Sequence, residues 1–224
     1  MYIVIGGSDG LGKALVASIK STNAKVMNIS RRANDLADYN VSCDLSTEKG
    51  IATAVDEMKN SSEPLEAIII SAGVFSFKDV GDLDAAEYAR TFDINTKAPL
   101  LLVSPLIEKI KEDETDVIII NSTAGIRSYT HQTLYNASKA ALHSFTNDLR
   151  AELAETASRV IGIYPGMIDT DLAQKLPEGP LPKSKHAMID PTVLADYILY
   201  TQRLPKSIEV SNIILDRKKH SQSV

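Results

Sequence analysis

Cysteine is nearly absent from this sequence. Cys43 is the only one in 224 residues, so no disulfide can form within the chain. We expect it to be a small buried residue in a protein of a reducing compartment. Apolar runs of the roughly 20 residues that a membrane-spanning helix needs are missing too. Residues 2–5 are typical of a core strand and leave no room for a signal peptide. The sequence therefore predicts a cytoplasmic protein.

An excess of positive charge is also lacking. The 24 Lys and Arg residues are outnumbered by 29 Asp and Glu residues, which gives a formal net charge of −5. This balance argues against a general binder of nucleic acids or anionic membranes, so we expect neither as a partner. A short basic run at 217–220 has the character of a solvated chain end.

Repeats, low-complexity segments and linkers are absent as well, and 224 residues suit a single domain over 1–224. The chain instead alternates between apolar runs and helical patterns. Strands are predicted at 2–5, 25–29, 39–43, 67–70, 117–120, 159–164 and 207–215. Helices are predicted at 10–20, 46–58 with Ser46 as its cap, 84–91, 94–110, 137–155 and 191–202.

The predicted strands are apolar throughout instead of alternating between apolar and polar residues. That pattern is typical of a parallel sheet covered on both faces. Because helices separate the strands, we expect an α/β fold with a doubly wound, Rossmann-type sheet of about seven strands and right-handed crossovers.

A glycine-rich turn follows the first predicted strand and leads into a helix. Gly6, Gly10 and Gly12 permit a tight turn and close approach of the backbone to a ligand. The start of the following helix presents unpaired N–H groups, which favour a phosphate. A turn without a ligand could have the same composition, but the strand–turn–helix context favours a pyrophosphate site.

Three polar residues surround the end of the fifth predicted strand. Tyr135 and Lys139 are four residues apart, which places them on one face of a helix, and Ser122 lies thirteen residues before the tyrosine. An ammonium beside the phenol would lower its pKa and make it usable for proton transfer near neutral pH. Taken alone, a tyrosine and a lysine four residues apart are most often an ordinary surface pair. Whether this pair is catalytic therefore depends on the rest of the sequence.

Together with the glycine turn, these residues resemble the short-chain dehydrogenase/reductase family, which has a Gly-x-x-x-Gly-x-Gly turn, a Tyr-x-x-x-Lys motif and an upstream serine. The resemblance covers nearly the whole chain. It also matches other positions in order, namely Asp44, Ala72 with Gly73, Asn95, Pro165 with Gly166, and Thr170. The usual threonine before the first glycine is replaced by Ile5, and the usual Asn-Asn pair by Ile70 and Ser71, so the bond that braces neighbouring strands is either made by Ser71 or missing.

The resemblance implies hydride transfer between a nicotinamide cofactor and a carbonyl or alcohol carbon. Tyr135 would be the general acid or base, Lys139 would lower its pKa and hold the ribose, and Ser122 would bond the carbonyl oxygen. Asn95 would hold a water that links Lys139 to solvent. His131 could compete as a base, although we expect an exposed loop residue.

The same resemblance implies the cofactor site, and no metal is expected. Its residues are Gly6, Ser8, Gly10, Leu11, Gly12, Arg31, Arg32, Asp44, Leu45, Ser71, Ala72, Gly73, Tyr135, Lys139, Pro165, Gly166, Ile168 and Thr170.

The end of the second predicted strand favours NADP(H) over NAD(H). Folds of this type read the ribose there, and an acidic residue selects NAD. Here Arg31 stands nineteen residues after Gly12, with Arg32 behind it, and a guanidinium can hold a 2′-phosphate with two charged bonds. Ser30 could add a hydroxyl bond. Asp9 departs from the pattern, because many NADP-linked relatives carry a basic residue there.

Three functions stay open: an NADPH-dependent carbonyl reductase, a dinucleotide-binding regulator or scaffold without chemistry, and an NAD-linked alcohol dehydrogenase. The substrate is a small molecule that the sequence does not identify. By analogy we expect a homodimer or homotetramer, with Leu142, Phe145 and Leu149 as candidate contacts, although all three could be core residues. Residues 171–190 resemble a mobile substrate loop. Its Lys175, Lys183 and Lys185 could attract an acidic carrier, although a solvated loop is the simpler interpretation.

Overall fold

A computed structural model describes residues 1–174 and 188–216. Seven parallel strands form one sheet in the order β3-β2-β1-β4-β5-β6-β7. The strands are β1 (Tyr2–Ile5), β2 (Val26–Ser30), β3 (Tyr39–Ser42), β4 (Ala67–Ile70), β5 (Asp116–Ile120), β6 (Val160–Pro165) and β7 (Asn212–Leu215). The predicted α/β fold with a doubly wound parallel sheet is thereby confirmed.

Helices connect the strands and cover both faces of the sheet. They are α1 (Gly10–Lys20), α2 (Glu48–Lys59), α3 (Ala85–Phe92), α4 (Ala98–Val103), α5 (Ile107–Glu112), α6 (Thr133–Glu152), α7 (Asp171–Gln174) and α8 (Pro191–Gln202). Helices α2 and α4 to α6 pack on one apolar core, and α1 and α8 on a second. The central strands are buried on both faces, which explains their continuous apolar sequences.

Strand order reverses between β1 and β4, so their carboxyl ends open into a crevice, where ligands of such sheets bind. The turn after β1, the segments after β4 and β5, and the start of α6 all lie at this edge. Every motif picked out in the sequence therefore meets at one end of the sheet.

The start of α2 differs from the prediction. Thr47, not Ser46, caps the helix, since its Oγ1 accepts the N–H of Gly50 at 3.0 Å. Ser46 is engaged one step earlier, where its N–H and hydroxyl both donate to Oδ1 of Asp44. Serine and threonine are both good helix caps, so the sequence alone does not determine which of the two residues caps α2.

The predicted helix at 94–110 is also not uniform. Helix α3 runs into one turn of π-helix at Asp93–Lys97, α4 follows, and a single 3₁₀ turn at Ser104–Leu106 precedes α5. Helix α6 starts at Thr133, earlier than the predicted 137, so Tyr135 lies in its first turn. Strand β7 covers only the end of the predicted 207–215.

Of the residues offered as subunit contacts, Leu142 and Leu149 are buried in the core, and Phe145 packs against it. They therefore do not support the expected oligomer. Among the helices that the structure describes, none combines the length and hydropathy needed to cross a bilayer. Most of the predicted loop at 171–190, including Lys175, Lys183 and Lys185, lies outside the described residues, as does the basic run at 217–220.

Candidate active site

The glycine turn is built for close backbone approach. Gly6 has φ of +88°, and a Cβ there would lie 2.7 Å from the backbone N of Ala72. A Cβ on Gly12 would lie 2.1 Å from the carbonyl oxygen of Gly6. Gly10, with φ of +48°, meets the methyl group of Thr170, so the turn lies against the segments after β4 and β6. At Gly6 and Gly12 any other residue would require the backbone to shift, and at Gly10 the positive φ favours glycine.

Asn121 joins the end of β5 to α6. Its Oδ1 accepts the N–H of Ser122 at 2.9 Å, while its Nδ2 donates to the carbonyl of Lys139 at 3.2 Å. Ser122 in turn begins a 3₁₀ turn by accepting the N–H of Ala124. These bonds hold Ser122 beside the first two turns of α6, where Tyr135 and Lys139 lie.

Lys139 is a buried cation, only 4% exposed. Its Nζ donates to the carbonyl of Ile120 at 3.1 Å and lies 5.9 Å from the ring centroid of Tyr135. Burial lowers its pKa to about 8, because the charged form loses hydration. At pH 7 the side chain is still mostly an ammonium, poised close to its titration.

The expected lowering of the Tyr135 pKa is not found. Burial raises the pKa of this half-buried phenol above its ordinary value, and a hydrogen bond with the side chain of Ser122 opposes that shift only in part. The ammonium of Lys139 does not reverse the effect of burial. In this arrangement Tyr135 is a neutral phenol at pH 7, which suits a proton donor.

Asn95 lies at the same place through the π turn. Its Oδ1 accepts the N–H of Val74 at 2.8 Å, and its Nδ2 donates to the carbonyl of Val74 at 2.9 Å and to Oγ of Ser138 at 3.1 Å. Gly73 lies between Asn95 and Lys139, since a Cβ there would be 3.5 Å from the amide oxygen and 3.8 Å from Nζ. Asn95 and Lys139 thus lie either side of Gly73, and Lys139 and Ser122 both lie beside Tyr135.

The two arginines after β2 differ in their surroundings. Arg32 forms an ion pair with Asp9 in the glycine turn, with 2.9 Å between Nη2 and Oδ2. Arg31 is exposed and lies on the side of Asp44, whose pKa is lowered first by hydrogen bonds from Ser46 and to a smaller extent by Arg31.

The hydroxyl of Ser30, which could add a bond to a phosphate, is buried and donates to the carbonyl of Arg32 at 2.5 Å. A bond from Ser30 to a phosphate would therefore require this hydroxyl to change its partner.

With this geometry established, a sequence model of the short chain dehydrogenase family matches residues 1–180. The chain belongs to the short-chain dehydrogenase family. An uncharacterized oxidoreductase of Staphylococcus saprophyticus is 26% identical over 225 residues, covering 94% of both chains. The protein is thus an oxidoreductase of the short-chain dehydrogenase type.

Solved structures show the same fold. A short-chain dehydrogenase family protein from Francisella tularensis has a TM-score of 0.81 at 22% identity, covering 96% of both chains. The alcohol dehydrogenase from the archaeon Thermococcus sibiricus, solved with 5-hydroxy-NADP, has a TM-score of 0.85 at 17% identity, covering all of this chain and 98% of that one. At these identities the likeness concerns the fold alone.

Short-chain dehydrogenases bind a nicotinamide dinucleotide, and this chain has the cradle for one. The turn at Gly6, Gly10 and Gly12 has no room for side chains where the backbone must come close. Leu11 and Leu45 have buried side chains, so only their backbones can face a cofactor. The remaining predicted contacts, which are Ser8, Ser71, Ala72, Pro165, Gly166, Ile168 and Thr170, lie in the turn or at the carboxyl edge of the sheet.

Two of these edge segments are braced by backbone bonds. The N–H of Ser71 donates to the carbonyl of Ile5, which extends the backbone ladder between β1 and β4 by one bond. Ile168 pairs with Ile189, and the N–H of Gly166 donates to Leu215.

The family's motifs do not include a group of rings beside Tyr135. Phe75 packs on the ring of Tyr135, Phe77 lies next to Phe75, and His131 packs on Phe77; we call Phe75, Phe77 and His131 the aromatic row. His131 is partly exposed, as expected, but its Nδ1 contacts Oδ1 of Asp79 at 2.5 Å. The sequence carries one signal for this group. Phe75 and Phe77 are two residues apart, and in an extended segment that spacing places both rings on the same side.

Proposed function

We propose that this protein is an NADP(H)-dependent oxidoreductase that reduces a carbonyl to an alcohol, or performs the reverse reaction, with Tyr135 as general acid or base. The observation that carries the proposal is that Ser122 and Lys139 both lie beside Tyr135, while Asn95 lies across Gly73 from Lys139, at the edge where the glycine turn opens.

Each residue has a role that its contacts favour. The bound cofactor would supply or accept the hydride. The hydroxyl of Ser122, which interacts with Tyr135, would donate to the substrate oxygen as negative charge develops there. Tyr135, kept neutral by its raised pKa, would deliver a proton to that oxygen. The buried ammonium of Lys139 would stabilise the phenolate left behind and bind the ribose hydroxyls.

For Asn95 the bonds favour a positioning role. Its amide holds both backbone groups of Val74, the residue that precedes Phe75, and Phe75 packs on the ring of Tyr135. The bond to Ser138 fixes the same amide against α6. The water relay that the family resemblance implies for Asn95 stays part of the proposal.

The preference for NADP(H) rests on Arg31, an exposed guanidinium after β2, where the ribose is read in such folds. A specific observation favours a second candidate, an NAD-linked alcohol dehydrogenase. Asp9 brings a carboxylate to the same corner and pairs with Arg32, which weakens the attraction for a phosphate.

Substrates of the family are small molecules, and we propose no nucleic acid or membrane partner and a cytoplasmic location for this chain. We also propose a homodimer or homotetramer, by analogy with the family. Light scattering at micromolar concentration tests this assembly, and a monomer would contradict it.

The catalytic proposal is tested with Tyr135→Phe. We expect turnover of NADPH against a panel of ketones, aldehydes, quinones and 3-oxoacyl thioesters to fall by about 10²–10⁴-fold, since loss of one acid–base group has this effect. NADPH binding, followed by cofactor fluorescence, should persist. Tyr200→Phe is the matched control, because Tyr200 is exposed on α8, away from the motifs. Near-normal turnover by Tyr135→Phe would refute the assignment.

A further inference from the structure

The aromatic row is a continuous series of rings that begins beside the ring of Tyr135. The ring centroids of Phe75 and Tyr135 are 4.6 Å apart at an angle of 49°. Phe77 lies nearly parallel to Phe75, at 6.3 Å and 20°, and its centroid is 5.5 Å from that of His131. These distances lie within or near the range of direct aromatic contacts, so the row extends the site away from Tyr135 ring by ring.

The near end of this row is held rigidly. Asn95 fixes the N–H and carbonyl of Val74, and Nη2 of Arg90 donates to the carbonyl of Phe75 at 2.8 Å. The backbone around Phe75 is therefore bonded from two helical segments, and its ring is preformed rather than dependent on a ligand.

The far end is joined to the segment after β5. Lys78 and Gln132 form an isolated parallel bridge, and Asp79 contacts His131. His131 adopts a φ of +61°, which is uncommon for a residue with a side chain and is held here by its neighbours. The segment that follows β4 and the segment that follows β5 are thus joined, and Phe77 contacts His131 across them.

The rings of the row are only partly covered. Phe75 and Phe77 are half-buried, whereas Ser76 between them is buried on the opposite side of the segment. Two of the four phenylalanines in the chain therefore belong to this row, and one of them, Phe75, packs directly on Tyr135. Partly exposed aromatic side chains that lead away from a reacting group are typical of a surface that binds an apolar group.

We propose that the aromatic row binds the substrate, and that this substrate is a carbonyl compound, or the matching alcohol, with a flat aromatic group next to the reacting carbon. The inference rests on the proposed function of the site. A flat ring stacks on the half-open faces of Phe75 and Phe77 while its carbonyl reaches Ser122 and Tyr135. The pair of His131 and Asp79 places polar atoms at the far end, which suits a polar substituent on that ring.

Turnover with two probes of equal carbon number tests the inference. We expect the protein, with NADPH, to favour benzaldehyde over cyclohexanecarbaldehyde by about 2- to 12-fold in kcat/KM, since both are apolar but only the first is flat. Phe77→Ala should bring that ratio towards one, mainly through KM, because Phe77 does not touch Tyr135. Tyr88→Ala removes an exposed ring outside the row, so it should leave the ratio unchanged.

Binding separates this inference from the proposed function. Saturation-transfer NMR compares benzyl alcohol with cyclohexylmethanol on the NADP⁺-loaded protein and on its Phe77→Ala variant. A preference for benzyl alcohol that Phe77→Ala removes, without any turnover, supports the row and refutes the proposed chemistry. Turnover of both aldehydes at equal kcat/KM refutes the row alone, as does a preference that survives in Phe77→Ala. No preference in binding and no turnover refutes both.

Discussion

Arg32 reaches back across the glycine turn, so that its Nη2 lies 2.9 Å from Oδ2 of Asp9. Asp9 also caps α1, where its Oδ1 accepts the N–H of Gly10 at 2.8 Å. Ser30 and Asn28 hold the carbonyl of Arg32 from below. Arg32 is therefore paired, and a carboxylate lies close to the place proposed for a 2′-phosphate.

We therefore predict that Asp9→Asn tightens NADPH binding by about 2- to 10-fold and leaves NADH binding nearly unchanged. Asparagine keeps the helix cap but removes the negative charge and releases Arg32. The effect is modest because both side chains are exposed and salt screens them. Fluorescence titration of each cofactor gives the two dissociation constants.

Two further variants make this measurement specific. Asp35→Asn removes an exposed carboxylate from the same loop and should change neither constant. Arg32→Ala should matter more in the Asp9→Asn background than in the wild type, because only there is the guanidinium released. Equal effects of Arg32→Ala in both backgrounds would show that the ion pair does not limit the phosphate site.

Arg31 carries the proposed cofactor preference. We predict that Arg31→Ala weakens NADPH use roughly 10- to 150-fold in kcat/KM, the loss expected for one charged hydrogen bond of about 1.5–3 kcal/mol. NADH use should hardly change. Arg32→Ala, next along the chain but paired with Asp9, is the matched control and should have a smaller effect. A wild type that prefers NADH, or an equal loss with both cofactors, would refute the assignment.

At Lys139 the proposed function opposes the stability of the fold. Its pKa in the fold, about 8, is below the ordinary value of 10.5, so folding disfavours its charge. We predict that Lys139→Met abolishes turnover yet raises the midpoint of thermal unfolding at pH 7.

The pH dependence of that difference follows from the sign of the shift. Between pH 8 and 10.5 the unfolded chain holds the Lys139 proton more often than the fold does, so the wild type gains stability as pH rises. The increase in unfolding midpoint that Lys139→Met gives over the wild type should be complete below pH 8 and shrink towards pH 10. Thermal melts at pH 7, 8.5 and 10 measure it, and an advantage that is constant or grows with pH would contradict the burial of a charge.

The glycine turn allows a matched pair of substitutions. A Cβ on Gly12 would overlap the carbonyl oxygen of Gly6, whereas a Cβ on Gly81 would meet nothing within 4 Å. We predict that Gly12→Ala lowers the free energy of unfolding by about 1–3 kcal/mol and weakens binding of both cofactors. Gly81→Ala should stay within about 0.5 kcal/mol of the wild type. Denaturant titration measures the free energy of unfolding of both variants. Equal values would show that the backbone of the turn shifts at little cost to accept a Cβ on residue 12.

Features with a strong local signal were predictable from the sequence. Helix α1, strand β4 and helix α8 have the predicted bounds, because apolar periodicity, glycine and proline marked them without long-range information. The positions of Ser122, Tyr135 and Lys139 also followed from spacing, once a strand and a helix were assigned around them.

Features that depend on distant contacts were not predictable. The raised pKa of Tyr135 results from burial, which a sequence does not reveal, and the expected effect of the neighbouring ammonium was too simple. The aromatic row depends on the bridge between Lys78 and Gln132, residues from two separate segments. The pairing of Arg32 with Asp9 joins residues 23 positions apart.

The π turn at Asp93–Lys97 has a consequence for the kinds of change this chain can accept. A wider turn holds one more residue than a regular helix would, and each residue of an α-helix rotates the next by about 100°. Removing a single residue, such as Ile94, would straighten the helix and turn Asn95 away from Val74 without altering any of the motif side chains. The number of residues between α3 and α4, more than their identity, therefore keeps this amide in place, and a one-residue deletion there is more damaging than most substitutions.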